Sequence, residues 1–124
     1  MSSNSVLVVE DDPLNMKLFR KILTLSGYEV LEATAAKAGI HLALTRLPSV
    51  IVMDIQLPGM SGLDAVSILR GRNATVEIPV IAVTGYATEA DKTRCLEAGC
   101  DEFLTKPIDT KLFSETVRKY MPDD

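Results

Sequence analysis

The sequence has no tryptophan, one histidine and two cysteines, and these shortages exclude several kinds of site. Cys95 and Cys100 do not form a CxxC motif, and two cysteines are too few for a disulfide framework. His41 is distant from both in the sequence, so a zinc site is not expected. We therefore expect the cysteines to be small buried apolar residues. The histidine is expected to be an ordinary residue of a helix.

Basic clusters and long apolar segments are also missing. The 13 lysines and arginines are outnumbered by 17 acidic residues, for a net charge of -4. Nucleic-acid binding needs a concentrated basic surface, so none is expected. No apolar run approaches the ~20 residues of a membrane span, and the first residues, MSSNS, lack a secretion signal. We therefore predict a cytoplasmic protein without a membrane partner.

The pattern that is present is a fivefold alternation of short apolar strands and helical segments. Residues 6–9 and 50–53 are continuous apolar runs, typical of parallel strands buried on both faces. The 124 residues are 47% hydrophobic, which suits one domain with its own core. We predict one α/β domain over residues 1–124, without an output domain. Its fold is a flavodoxin-like, doubly wound (βα)5 arrangement with a parallel five-stranded sheet in the order 2-1-3-4-5.

Capping signals place the helices between these strands. Asp12 followed by Pro13 is typical of a helix start, and Gly27 of a helix end. Thr34 is expected to cap the second helix. The predicted buried stripe of the first helix consists of Leu14, Leu18, Ile22 and Leu25.

Polar side chains follow four of the five predicted strands. Residues 10–12, EDD, follow the first strand, and Asp54 follows the third. Thr84 and Lys106 end the fourth and fifth strands. In the predicted order these four strands are neighbours, and ligands bind beyond the carboxyl ends of such sheets. The four groups are therefore expected to meet at one edge.

The chemistry of this edge points to a metal and a phosphoryl group. Glu10, Asp11 and Asp54 would repel one another, and a hard divalent cation relieves that repulsion. Mg²⁺ prefers carboxylates, water and phosphate oxygens at about 2.0–2.1 Å, and Mn²⁺ is an alternative. With Lys106 and Thr84 beside the metal, Asp54 is expected to be the nucleophile that forms an aspartyl phosphate.

Each of these residues also has a purely structural interpretation. Asp12 fits a helix N-cap better than a metal ligand. Thr84 is able to cap a turn, Lys106 to lie on the surface, and Asp54 to begin a polar loop. The functional interpretation rests on their combination at the ends of adjacent strands.

Four segments together resemble the CheY-like response-regulator receiver family: VLVVEDD, IVMDIQLPGMSGL, PVIAVTGYA and EFLTKPI. The resemblance covers residues 6–120, and EDDPLNMKLF is also similar to stand-alone receivers of the DivK-like cell-cycle type. It implies two-component signal transduction, in which a histidine kinase or phosphotransfer protein supplies the phosphoryl group of Asp54. It also implies that magnesium is held by Glu10, Asp11, Asp54 and the backbone carbonyl of Gln56.

The resemblance assigns further roles. Thr84 and Lys106 match the pair that senses the phosphoryl group, and Phe103 matches an aromatic switch residue. A downstream protein would bind the face of the fourth helix, fifth strand and fifth helix. The protein would be a regulatory phosphoacceptor that assists its own phosphorylation and dephosphorylation, not an enzyme, and a monomer or weak phosphorylation-dependent dimer. Two positions depart from the family pattern, because Glu10 replaces an aspartate and Phe103 lacks a tyrosine hydroxyl.

Other functions fit the sequence less well. A phosphatase with an aspartyl nucleophile uses a second aspartate two residues later, where this chain has Gln56. A flavodoxin-like cofactor binder needs a neutral phosphate loop after the first strand, where residues 10–12 are acidic. The complete set of site residues disfavours an interaction module that is not phosphorylated. A receiver excised from a hybrid histidine kinase has the same features, so that alternative stays open.

The segment expected to move is the fourth helix, at about residues 88–98. Cys95 and Leu96 are its sizeable apolar residues, so we expect this helix to be lightly held. It follows the loop Gly85-Tyr86-Ala87. If Thr84 moves toward a phosphoryl group, we expect this loop to move with it and to make room for Phe103. The change would then reach the surface of the fourth helix.

Overall fold

The structure is a computed structural model that describes residues 4–85 and 88–122. Strands and helices alternate along the chain. Their bounds are β1 Ser5–Val9, α1 Pro13–Leu25, β2 Glu29–Ala33, α2 Ala36–Arg46, β3 Val50–Asp54, α3 Gly62–Arg70, β4 Val80–Thr84, α4 Glu89–Ala98, β5 Glu102–Thr105 and α5 Thr110–Tyr120. Within the described ranges, no helix has the length and apolar character needed to span a membrane.

The sheet has five parallel strands in the order 2-1-3-4-5, which confirms the predicted topology. Strands β1, β3 and β4 are buried along their whole length, which is why their sequences are almost continuously apolar. The register pairs Val9 with Met53, Asp54 with Val83 and Thr84 with Thr105. The carboxyl ends of β1, β3, β4 and β5 therefore lie along one edge.

Helices cover both faces of the sheet. Buried residues of α2, α3 and α4, such as Ala43, Leu69 and Cys95, share one core cluster. Those of α1 and α5 form the other cluster, in which the rings of Phe19 and Phe113 are 4.9 Å apart. This is the doubly wound arrangement that the alternating pattern predicts.

The predicted buried stripe of α1 is wrong at its two ends, although Ile22 packs against a core cluster as predicted and the start of the helix at Asp12 is confirmed. The Asp12 side chain accepts a hydrogen bond from Leu14 N at 3.0 Å. However, the side chains of Leu14 and Leu25 are largely exposed. The helix buries a different stripe, formed by Met16, Phe19 and Leu23. The apolar residues of α1 offer two overlapping stripes, and packing of Phe19 on Phe113 selects the second.

The predicted cap of α2 is also wrong. The N-cap is Ala35, which makes no side-chain hydrogen bond to the helix, and Thr34 lies outside it. The position of α2 follows from close packing on the sheet. A Cβ added to Gly39 would lie 2.6 Å from a Val9 methyl group, so the helix approaches β1 as closely as a glycine permits.

The cysteines and the histidine lie where the sequence predicts. Cys95 and Cys100 are buried and are not joined by a disulfide. His41 is exposed on α2.

The Arg70 guanidinium joins the end of α3 to the two chain segments that precede β4 and β5. It donates to Gly99 O at 3.0 Å, to Ile78 O at 2.7 Å and to the Asp101 carboxylate at 3.0 Å. Gly99 ends α4 with φ 109, a left-handed conformation that favours glycine. Arg70 thus anchors the C-terminal end of α4, a helix that buries one residue, Cys95.

Candidate functional site

The candidate site lies at the carboxyl edge of the sheet. Glu10 directly follows β1, and Asp54 and Thr84 are the last residues of β3 and β4. All three are buried, with 1%, 2% and 2% of their surface exposed. Burial of two carboxylates is costly unless cations or hydrogen bonds compensate them, so this burial marks the edge as a specialised site.

Lys106 supplies a positive charge between the two buried carboxylates. Its Nζ atom is 3.1 Å from Asp54 Oδ2 and 3.1 Å from Glu10 Oε1. Burial opposes the charge of Lys106. Hydrogen bonds and charge attraction from Asp54 and Glu10 outweigh it, so the pKa of Lys106 is raised above its ordinary value. Its backbone N–H donates to Thr84 O at 2.8 Å, and the following bond to Pro107 is cis.

Glu10 is incompletely compensated. Its Oε2 accepts a hydrogen bond from Asp12 N at 3.1 Å. Its buried Oε1 has an ion-pair contact with Lys106 but accepts no hydrogen bond of good geometry from the described residues. Burial is the main reason that the pKa of Glu10 is raised to about 7. The hydrogen bond from Asp12 N–H lowers the pKa, the neighbouring Asp54 raises it again, and the lowering by Lys106 is the smallest effect. The buried Glu10 carboxylate would therefore be stabilised by a further positive charge beside it, such as a bound cation.

Asp54 is held through both of its carboxylate oxygens. Oδ1 accepts a hydrogen bond from Gln56 N at 2.9 Å, and Oδ2 accepts one from Lys106. The start of α3 packs closely against the residues that follow β3. Gly62 N donates a hydrogen bond to Ile55 O at 3.2 Å. A Cβ added to Gly62 would lie 2.2 Å from Asp54 O. Sequence reasoning missed Gly62, although a glycine directly after the N-cap Ser61 is an available signal.

The donors at this edge fit a hard divalent cation. Carboxylate oxygens of Glu10, Asp11 and Asp54 all lie within 4.8 Å of one another, and Asp11 is the exposed member. Three carboxylates face the single ammonium of Lys106. Oxygen-only donors, excess negative charge and the under-bonded Glu10 Oε1 are what Mg²⁺-type ions require. The cluster therefore fits a metal site.

Other predicted residues lie around this cluster. Thr84 lies on the wall of a pocket of about 270 Å³, between the loop after β3 and helix α4. Phe103 is half-buried on β5 opposite Ala82, and it packs against the core cluster that contains Cys95. The structure thus places Phe103 in the sheet, apart from the carboxylate cluster. Tyr86 and Ala87 of the predicted mobile loop lie outside the described residues.

The side chain of Gln56 is a further contact that sequence reasoning missed. The family resemblance implies a role for its backbone carbonyl as a metal ligand. In the structure its side-chain Oε1 accepts a hydrogen bond from Gly85 N at 2.9 Å. The two residues are 29 positions apart, so the local sequence around either of them does not predict this hydrogen bond.

Comparison with known proteins identifies the family of this site. The family model of the response regulator receiver domain matches residues 6–118. The chain belongs to the response regulator receiver family. As a receiver, it functions in two-component signal transduction, which accords with a buried aspartate at the carboxyl edge of the sheet.

Relatives of this receiver include polar-differentiation response regulators named DivK. The chain is 41% identical to the protein of Brucella ovis over 121 residues, which cover 98% of each chain. The DivK protein of Brucella anthropi is 42% identical over 119 residues, or 96% of this receiver and 97% of that protein.

Solved receiver structures are also similar. The receiver domain of a sensor histidine kinase from Pseudomonas aeruginosa has a TM-score of 0.88 and 27% identity, with 96% of this chain and 98% of that chain covered. That structure has a magnesium ion coordinated in its active-site cleft. The chemotaxis protein CheY4 of Vibrio cholerae has a TM-score of 0.91 and 22% identity, covering 97% and 100% of the chains, and it supports the fold alone.

Proposed function

We propose that this receiver takes a phosphoryl group onto Asp54 from a phosphohistidine of a histidine kinase or phosphotransfer protein, in a magnesium-dependent step. The observation that carries the proposal is the position of Asp54. Its carboxylate is buried at the carboxyl edge of the sheet and accepts a hydrogen bond from Lys106 at 3.1 Å.

The chemical step transfers phosphorus from nitrogen to oxygen. A carboxylate oxygen of Asp54 forms the new P–O bond, and the P–N bond of the phosphohistidine breaks with its electron pair returning to the imidazole. Charge develops on the phosphoryl oxygens, where a charged donor is most effective. We propose Lys106 as this donor, and two observations support the role: its Nζ atom lies 3.1 Å from Asp54 Oδ2, and its pKa is raised above the ordinary value, which favours the charged ammonium.

The metal would be held by Glu10, Asp11, Asp54 and the backbone carbonyl of Gln56, with Mg²⁺ the expected ion and Mn²⁺ an alternative. When bound, it neutralises charge on the carboxylates and the phosphoryl oxygens. We further propose that Thr84 donates its hydroxyl hydrogen to a phosphoryl oxygen. Its position at the end of β4, beside Asp54 on β3, supports this role.

The proposed output is a change in a protein-binding face. We propose that Phe103 and α4 respond to the state of Thr84, and that a downstream protein reads α4, β5 and α5. Helix α4 buries only Cys95 among its residues and leaves Leu96 half-exposed, which supports a lightly held element. The chain would act as one regulatory receiver domain, either as a monomer or as a weak dimer, without turnover of an external substrate.

Intact mass after incubation with magnesium and a small acyl phosphate tests the proposal. We expect a gain of one phosphoryl group in the native protein and none in Asp54→Asn, which keeps the shape of the side chain. Asp64→Asn is the matched control, because Asp64 is an exposed acid on α3. Excess chelator should abolish the gain. Labelling of Asp54→Asn at the native level would refute the assignment.

A further inference from the structure

The pairing between β3 and β4 ends in an unusual way at the candidate site. Ile55 N donates to Val83 O at 3.0 Å, which is an ordinary parallel-sheet bond. Continued pairing would bring Gly85 N to Ile55 O. Ile55 O instead accepts from Gly62 N, and Gly85 N donates to the Gln56 side chain. A side-chain amide oxygen thus takes the place of a backbone acceptor.

A side-chain acceptor differs from a backbone acceptor because it can rotate away. Gln56 is an exposed residue, so water can solvate its amide if the contact opens. The contact also depends on the absence of a side chain at position 85. A Cβ added to Gly85 would lie 3.2 Å from Gln56 Oε1, which is tighter than ordinary packing. The bond between Gln56 and Gly85 is therefore both close and releasable.

Gln56 connects this bond to the phosphoacceptor. Its backbone N–H donates to Asp54 Oδ1 at 2.9 Å, while its side chain holds the residue that directly follows Thr84. One residue thus contacts both the carboxylate that would be phosphorylated and the segment that would respond.

We propose that the Gln56 side chain is a latch that holds Gly85, and with it Thr84, in the resting position, and that its release makes Gly85 N–H available to a phosphoryl oxygen on Asp54. Gln56 is then a positioning residue that sets the balance between resting and switched states. This inference rests on the proposed phosphorylation of Asp54. Exchange of partners is favourable because a charged phosphoryl oxygen is a stronger acceptor than a neutral amide.

The latch is tested by Gln56→Met, which keeps the length of the side chain and removes the acceptor. In the metal-free protein, we expect Gly85 N–H to exchange with solvent several-fold faster by NMR. At saturating magnesium, we expect beryllofluoride, a phosphoryl mimic, to bind roughly 2- to 10-fold more tightly, the effect of losing one exposed hydrogen bond from the resting state. Gln56→Glu keeps an acceptor and should keep the slow exchange of the Gly85 amide.

Gly85→Ala opens the latch from the other side, because its Cβ presses on Gln56 Oε1, and it should also bind beryllofluoride more tightly. Native amide exchange and native affinity in both Gln56→Met and Gly85→Ala would overturn the latch. If the native protein itself fails to bind beryllofluoride, the proposed phosphorylation fails. The exchange rates then still decide whether Gln56 holds Gly85.

Discussion

Replacing Lys106 with methionine would remove an ammonium that contacts two buried carboxylates while keeping much of its alkyl chain. Without metal, Glu10 and Asp54 would then face each other with less compensation. We expect a loss of folding stability in chelator and a partial recovery of that loss in magnesium.

The distances set the size of the loss. At 3.1 Å and an effective dielectric constant of about 20, each contact has a gross Coulomb attraction of about 5 kcal/mol. Desolvation offsets much of this, and removal of one partner from a buried ion pair typically costs about 3–5 kcal/mol. The Lys106 side chain is 22% exposed, so water recovers part of that cost. We therefore expect the free energy of unfolding to fall by about 2 kcal/mol in chelator.

Magnesium should reduce this deficit because a bound ion would neutralise the same carboxylates that the Lys106 ammonium now compensates. Removal of the ammonium should tighten magnesium binding about tenfold, which corresponds to about 1.4 kcal/mol. A ligand stabilises the folded state in proportion to the logarithm of its concentration over its dissociation constant. At saturating magnesium, the deficit should shrink to less than about 1 kcal/mol.

Urea unfolding followed by far-ultraviolet circular dichroism measures the deficit, since the chain has no tryptophan to report it. Titration calorimetry measures the magnesium affinity. Lys17→Met is the matched control, because it removes the charge of an exposed lysine on α1 and should change neither quantity. An equal loss in chelator and in saturating magnesium, with native magnesium affinity, would refute the electrostatic reasoning.

Three further changes test one candidate metal ligand and the two ends of α3. Asp11→Asn should weaken magnesium binding about tenfold by calorimetry, with little change in unfolding free energy because Asp11 is exposed; native affinity would exclude it as a ligand. Gly62→Ala should lower the unfolding free energy by about 1–3 kcal/mol, because its Cβ would meet Asp54 O at 2.2 Å. Gly71→Ala, with no contact closer than 3.5 Å, should be tolerated in the same urea experiment. Arg70→Met should lower the unfolding free energy by about 2–3 kcal/mol, because five acceptor groups would lose a charged donor: the carbonyls of Thr75, Val76, Ile78 and Gly99 and the carboxylate of Asp101. A native urea midpoint would contradict this.

The sequence by itself determined the order of elements, the sheet topology and the set of residues at its carboxyl edge. Buried parallel strands require apolar residues on both faces, so residues 6–9 and 50–53 were recognisable without a structure. Capping is equally local. Asp12, Ser61 and Asp109 each accept a hydrogen bond from an N–H in the first turn of the helix that follows.

Only the tertiary structure decided which face of α1 is buried and where α2 begins. Leu14 and Leu25 match a helical stripe as well as Met16, Phe19 and Leu23 do. The choice depends on Phe113, which is far away in the sequence. Helix α2 begins after Ala35, an N-cap without a side-chain hydrogen bond, and its close approach to β1 through Gly39 and Val9 likewise belongs to no local pattern.

The same distinction applies within the site. Strand ends predicted that Glu10, Asp54 and Lys106 would meet. Only packing decided that Glu10 would be buried with one oxygen poorly bonded. Only packing also brought the Gln56 side chain to Gly85 N. Periodicity and capping are set by neighbouring residues, whereas burial and long-range hydrogen bonds depend on how separate elements fit together.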